Sequence, residues 1–274
     1  MLVDILDLER IEVDIFRGRS PEVGPQRVFG GQVAGQALVA AGRTVPAERA
    51  VHSLHAYFIR PGDPEVPIVY TVDRTRDGRS FSTRRVTAVQ HGQAIFTLSA
   101  SFHRPETGLE HQAQMPDAPD PEGLPERFGR LRPVDMRYAG EPPWTAARDG
   151  RPRAARSMVW MRARGELPDD PLVHVCAVAY ASDMSLLDSV LLAHGLTWDA
   201  SGLSAASLDH AMWFHGPFRA DEWLLYAQES PAASGARGLA QGRIFRRDGR
   251  LIASVVQEGL IRVSDSADRH GRPS

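Results

Sequence analysis

The feature that most constrains this chain is that its order of elements repeats. His55-Ala56, followed by Tyr57 and Phe58, returns as His210-Ala211 followed by Trp213 and Phe214, an offset of 155 (55 to 210). The two-residue turn signal His91-Gly92 returns as Asp248-Gly249, an offset of 157 (91 to 248). Self-similarity at one spacing means one supersecondary unit used twice.

The unit reads as a helix followed by antiparallel strands. In the first copy, residues 27–41 are dominated by small side chains: Gly31, Ala34, Gly35, Ala37, Ala40 and Ala41. A helix this slim can be surrounded closely by other backbone. Gly30-Gly31 at its start either leaves N–H groups open to a ligand oxygen or simply makes a tight loop. Strands follow at 51–59, 66–72, 80–90 and 93–103, the last two joined by the hairpin signal His91-Gly92. In the second copy, Met158-Val-Trp-Met161 opens with strand character. A helix is predicted over 180–195, then strands over 206–215, 223–229, 238–246 and 251–262.

That second helix carries the most suggestive residue. Ser182 reads as its N-cap and Asp183 as a first-turn acid, with Met184, Leu187, Val190 and Leu191 forming a stripe that Leu186 and Leu192 widen. Gly195 suits a left-handed C′ position. A single carboxylate at the mouth of an apolar helix is either a cap or a site.

The connecting segments are less regular. Residues 1–29 hold a short helical pattern (Ile5, Leu8, Glu9, Ile11) and the turn Gly18-Arg-Ser-Pro21. Pro105, Pro116, Pro119, Pro121 and Pro125 mark a linker or an ordered surface crossing, which 126–153 continues. The expected division is an N-terminal unit (1–107), a Pro-rich crossing (108–152), a C-terminal unit (153–264) and a mobile tail (265–274). The fold class is α+β.

Composition narrows the chemistry. The chain has 274 residues, 42% of them hydrophobic, and a net charge of -2, so a nucleic-acid partner is not expected. All 32 basic residues are arginine, which excludes Schiff-base lysines and the lysine of a P-loop. GxSxG, HExxH and GxGxxG after an apolar strand are absent, and the lone Cys176 cannot make an intrachain disulfide. No apolar run reaches the ~20 residues of a membrane span. The first ten residues lack the layout of a signal peptide, and a cytoplasmic protein without metal or cofactor is the expectation.

Several separated motifs then point to one family. Arg27-Val-Phe-Gly-Gly-Gln-Val-Ala-Gly-Gln-Ala, His52-Ser-Leu-His-Ala-Tyr-Phe-Ile-Arg-Pro-Gly-Asp63, Tyr180-Ala-Ser-Asp183, Leu208-Asp-His-Ala-Met-Trp-Phe-His215 and Val256-Gln-Glu-Gly259 resemble the acyl-CoA thioesterase II family. The resemblance runs from about Leu8 to Arg262. It implies a double hotdog, two sheets each wrapped around a central helix, and hydrolysis of acyl-CoA to fatty acid and CoA without a cofactor. It also implies a homo-oligomer, dimer or tetramer, and a catalytic trio of Asp183, Ser207 and Gln257. Ser207 stands where the family often has Thr. Gly30, Gly31 and His55 are candidate substrate contacts.

These residue types suit the reaction. Asp183 can take a proton from an attacking water, Ser207 and Gln257 can orient the water and hold the carboxylate, and N–H groups at a helix start can serve the oxyanion. Direct attack by the carboxylate is the minority alternative. Its own helix dipole should lower the pKa of Asp183, whereas apolar burial should raise it. Ser207, Asp209 and His210 are too close on one strand to form a triad, because His210 would point to the opposite face. His55 reads as a core or interface residue. Arg84-Arg85 and Arg246-Arg247 read as surface charges rather than phosphate ligands. The rival functions are an acyl-thioester hydratase or dehydratase, which would want a histidine beside Asp183, and a non-catalytic acyl-CoA binder.

Overall fold

The computed structural model describes residues 1–21, 27–129 and 132–264; the tail expected at 265–274 lies outside them. The elements in chain order are α1 (Leu2–Leu6), β1 (Glu9–Glu12), β2 (Ile15–Gly18), α2 (Gly30–Gly42), β3 (Ala50–Phe58), β4 (Ile68–Asp77), β5 (Phe81–Gln90) and β6 (Gln93–His103). They continue with β7 (Val134–Tyr138), α3 (Pro143–Ala146), β8 (Arg156–Ala163), α4 (Pro171–Ser182), α5 (Asp188–Ala193), β9 (Leu203–Ser207), β10 (Asp209–Phe214), β11 (Leu224–Ser234), β12 (Arg237–Arg246) and β13 (Leu251–Val263).

The strands form one antiparallel sheet in the order β1-β2-β4-β5-β6-β3-β10-β13-β12-β11-β8-β7, with β9 pairing β13. The first six belong to one copy of the repeat and the last six to the other, in mirrored order. At the seam the repeated motifs meet: His210 pairs Ala56, and Ala211 pairs His55. Each half curls around a helix, and α2 and α4 lie against each other in the middle. This is the double hotdog.

Why these segments form these elements is visible locally. β5 and β6 alternate buried and partly exposed residues along most of their length. They are joined at His91 (φ 49) and Gly92 (φ 72), the two positive dihedrals of a type I′ hairpin. Nearly all of α2 is buried, as its small side chains allow. At the end of α5, Gly195 (φ 63) sits just past the His194 cap. The Leu196 N–H donates to the Leu191 carbonyl and the Gly195 N–H to that of Leu192, closing the helix as expected.

Five expectations are corrected. The helix placed at 180–195 is two: α4 ends at Ser182, irregular turns follow, and α5 begins at Asp188. Ser182 is therefore no N-cap; its hydroxyl bonds back to the Ala179 carbonyl. The N-terminal helical pattern around Leu8 to Ile11 is mostly the β1–β2 hairpin at the sheet edge. The assumed crossing contains β7, which pairs β8 and belongs to the second sheet half. The single strand over 206–215 breaks at Leu208 into β9 and β10.

The proline-rich segment is an ordered crossing. The Trp160 indole donates to the Pro119 carbonyl (2.8 Å), and Arg247 pairs with Asp120 and Glu122. Met115, Ala118 and Leu124 cover Trp160, Trp223 and Leu225 on the outer sheet face. No helix among the described residues is long and apolar enough to cross a membrane.

The α2–α4 contact depends on glycine. A Cβ at Gly31 would lie 2.3 Å from the Tyr180 carbonyl oxygen, and one at Gly35 would lie 3.1 Å from that of Cys176. Gly31→Ala should therefore destabilise the fold by about 1–3 kcal/mol. Gly140→Ala, where a Cβ meets nothing within 4 Å, is the control and should change little. Denaturant midpoints check this; equal midpoints for the two variants would refute the tight contact.

Candidate active site

The antiparallel meeting of α2 and α4 brings the start of one helix to the end of the other. Asp183 is the C-cap residue of α4, yet its carboxylate lies at the N-terminus of α2. A Cβ on Gly30 would approach Asp183 Oδ2 to 2.7 Å, so only glycine leaves room for the carboxylate there. A backbone hydrogen bond from Gly31 favours its charged form. The expected helix dipole is thus present, but it belongs to the other repeat's helix.

Two strands supply the remaining contacts. Gln257 on β13 is fully buried, and its Nε2 donates to Asp183 Oδ1 at 2.5 Å. Ser207, the last residue of β9, donates its hydroxyl to the same oxygen at 3.3 Å. Gln257 points inward because its neighbours Val255 and Gly259 share that face, Gly259 resting against Leu187. Asp183, Ser207 and Gln257 therefore converge, with Gly30 and Gly31 as the floor.

Burial pushes the Asp183 carboxyl up to about 6, against the pull of Gln257, Ser207 and Gly31. Desolvation wins because the surroundings are apolar: Phe58 and Phe29 flank the glycines, and Tyr180 meets Phe29 edge-on at 5.0 Å. The residue as a whole is only half-buried. Near neutral pH it is ionised, yet basic enough to take a proton.

His55 does not join this group. Its exposed side chain stands on the outer sheet face, edge-on to Trp213 at 5.2 Å, because Leu54 and Ala56 occupy the inner face. Of the core and interface readings of His55, the core one is corrected, because the side chain is exposed. The Ser207/Asp209/His210 triad is also absent, for a different reason from strand alternation. Ser207 ends its own strand, Asp209 Oδ1 accepts from the Glu258 N–H (2.6 Å), and His210 Nε2 faces Ser182 Oγ (2.8 Å).

Sequence reasoning missed the residues that hold the chain on both sides of Asp183. His210 is fully buried, and burial pushes its pKa down to about 4, so it is neutral. The Tyr226 hydroxyl donates to the Ser182 carbonyl (3.3 Å), and Gln228 Nε2 donates to Ser185 Oγ (2.6 Å). An inward glutamine beside an inward tyrosine on one apolar strand was the available signal. Arg84 was misread as a surface charge: it is fully buried, bonded to Asp77 and Thr44. Arg247 anchors the crossing and Arg246 pairs with Asp248. Cys176 is buried as expected, and burial pushes its thiol far up.

Comparison with known proteins agrees with this architecture. A sequence model described as acyl-CoA thioesterase matches residues 129–260, and one described as acyl-CoA thioesterase N-terminal domain matches 16–103. The chain is 42% identical to human acyl-coenzyme A thioesterase 8, covering 96% of this chain and 89% of that protein. It is also 42% identical to acyl-CoA thioesterase 2 of Haemophilus influenzae, covering 96% and 98%. The crystal structure of the acyl-CoA thioesterase II TesB2 from Mycobacterium marinum superposes with a TM-score of 0.84 at 49% identity, covering 97% and 99%. A protein with a hot dog fold from Alicyclobacillus acidocaldarius shares the fold at 20% identity (TM-score 0.79, 96% and 98%). With two central helices wrapped by one sheet and a 42–49% identity that spans nearly the whole chain, the protein belongs to the acyl-CoA thioesterase II family.

Proposed function

We propose that the chain hydrolyses fatty acyl-CoA to free fatty acid and CoA by attack of a water that Asp183 activates. The observation that carries this reading is one desolvated carboxylate, raised to about 6 and gripped by Gln257 and Ser207 at the start of α2. Asp183 accepts a proton from the water as its oxygen bonds to the thioester carbon. With the Gly31 N–H engaged by Asp183, the Gly30 N–H at the positive end of α2 steadies the negative carbonyl oxygen. Collapse breaks the carbon–sulfur bond, and the proton on Asp183 passes to the departing thiolate. Ser207 and Gln257 hold the carboxylate and orient the water. The hydratase alternative wants a histidine on Asp183, and none hydrogen-bonds to it among the described residues.

The reading includes an apolar channel for the acyl chain beside the Asp183 turn, a cytoplasmic setting in lipid metabolism and assembly into a dimer or tetramer. The exposed His55, Tyr57 and Trp213 around the seam offer a surface for a second copy.

Asp183→Asn should lower kcat for acyl-CoA by 10²-fold or more, measured as thiol release. Release that survives the substitution would remove Asp183 from the mechanism.

In the wild type, kcat/KM should rise about tenfold per pH unit below about 6 and level off above it, since the base must be ionised. Gln257→Ala removes a donor that favours the charged form. Its rising limb should move to higher pH, besides any loss of rate; an unmoved limb would reduce Gln257 to packing.

The same shift affects stability. The folded carboxyl titrates near 6 and the unfolded one near 3.8. The folded state therefore holds the proton more tightly, and stability falls as pH rises from about 4 through 6, by on the order of 3 kcal/mol. Asp183→Asn lacks this loss. Its melting temperature relative to wild type should climb between pH 4.5 and pH 8, and a flat difference would contradict the raised pKa.

A further inference from the structure

Five residues beyond Asp183, the chain buries a second carboxylate that hydrolysis does not use. Asp188 opens α5 and is fully buried. It accepts from the Tyr138 hydroxyl, from the Trp198 indole N–H (2.5 Å) and from Arg127 (3.2 Å). A buried charge with several donors is costly to disturb, so each donor is held in one orientation. The guanidinium of Arg127 is further packed against three rings: Phe128 at 4.4 Å, Trp144 at 4.7 Å and Tyr138 at 5.2 Å.

These groups wall a cleft of about 340 Å³, completed by Leu191 and Leu196. Trp144 and Trp198 stay 37% and 46% exposed beside it. Two indoles held open at a rigid cleft are a poor arrangement for a surface with nothing to bind. Leu191 on this wall follows Asp183 by eight residues, across the turn that joins α4 to α5.

The lining selects a ligand chemistry. Indole faces and a stacked guanidinium recognise a flat π-system. Asp199 at the rim, held below the usual carboxylate range by the Thr197 hydroxyl, suits an amine donor and disfavours phosphate. Phosphates belong outside the cleft; the nearby loop that packs against Gly195 carries Arg151 and Arg153, both paired with Asp149. The volume fits a bicyclic base better than a whole nucleotide. Given an acyl-CoA substrate, as proposed above, we infer that this cleft takes the adenine of CoA, with Trp144 and Trp198 stacking on the ring.

The test compares an acyl-CoA with the matching acyl-pantetheine, which has the same thioester but no adenine nucleotide. Wild type should prefer the CoA ester in kcat/KM, and Trp144→Ala should shrink that preference about tenfold, through KM. Binding of adenosine 3′,5′-bisphosphate, followed by tryptophan fluorescence, should weaken by the same factor in this variant and in Trp198→Phe by less. Equal losses on both esters would assign the cleft to the acyl chain or to the fold and overturn the proposal. So would wild-type indifference to the nucleotide in both assays. Failure of the wild type to hydrolyse either ester would instead defeat the hydrolase reading, while the nucleotide-binding arm would still decide the cleft.

Discussion

The structure depends on how closely α2 can approach α4. At Gly31 and Gly35 the backbones leave no room for a Cβ, and only because of that does the N-terminus of α2 reach Asp183. The contact serves packing and chemistry together. It joins the two sheet halves through their central helices, and it puts a positive helix end beside a carboxylate that its own helix presents at the wrong end. Without the close approach, Asp183 would sit at the negative end of α4, facing partial charges that raise its energy.

The carboxylate is then balanced between two opposing effects. Gln257, Ser207 and Gly31 favour the ionised form, while burial among aromatic side chains disfavours it and prevails. A stronger grip would leave a weak base, and deeper burial would leave a neutral acid at working pH. The outcome near 6 suits proton transfer, and it is reached at the expense of stability. The supporting residues around Ser182, namely His210, Tyr226 and Gln228, come from two strands of the same half. They hold the turn in place so that the four-way meeting of α2, α4, β9 and β13 is reproducible.

Much of the fold was legible in the residues. The hairpin signals, the alternating strands and the small-residue helix all act over a few positions, and the repeat offset then ordered them. Where the reading slipped, a tertiary contact outweighed a local pattern. The stretch 180–195 has helical periodicity throughout, yet the chain leaves the helix at Asp183, where the carboxylate is drawn to the Gly30-Gly31 end of α2. β7 escaped notice because a five-residue strand is stabilised by β8, far along the chain. The break at Leu208 lets Ser207 and His210 both turn toward the end of α4, which strict alternation would forbid.

By itself the sequence determined the architecture and the residue types available for catalysis: a duplicated helix-and-sheet unit, no lysine, no metal motif, and an acid, a hydroxyl and an amide in separated motifs. Only the tertiary structure decided which groups meet. It moved Asp183 from the start of the expected helix to the end of α4, placed it on another helix's dipole and sent His55 to the opposite face. The physical reason is range. Propensity, capping and turn chemistry are settled by neighbours in the chain, whereas a pKa or a converging hydrogen bond is settled by neighbours in space, here 74 residues apart for Gln257 and Asp183.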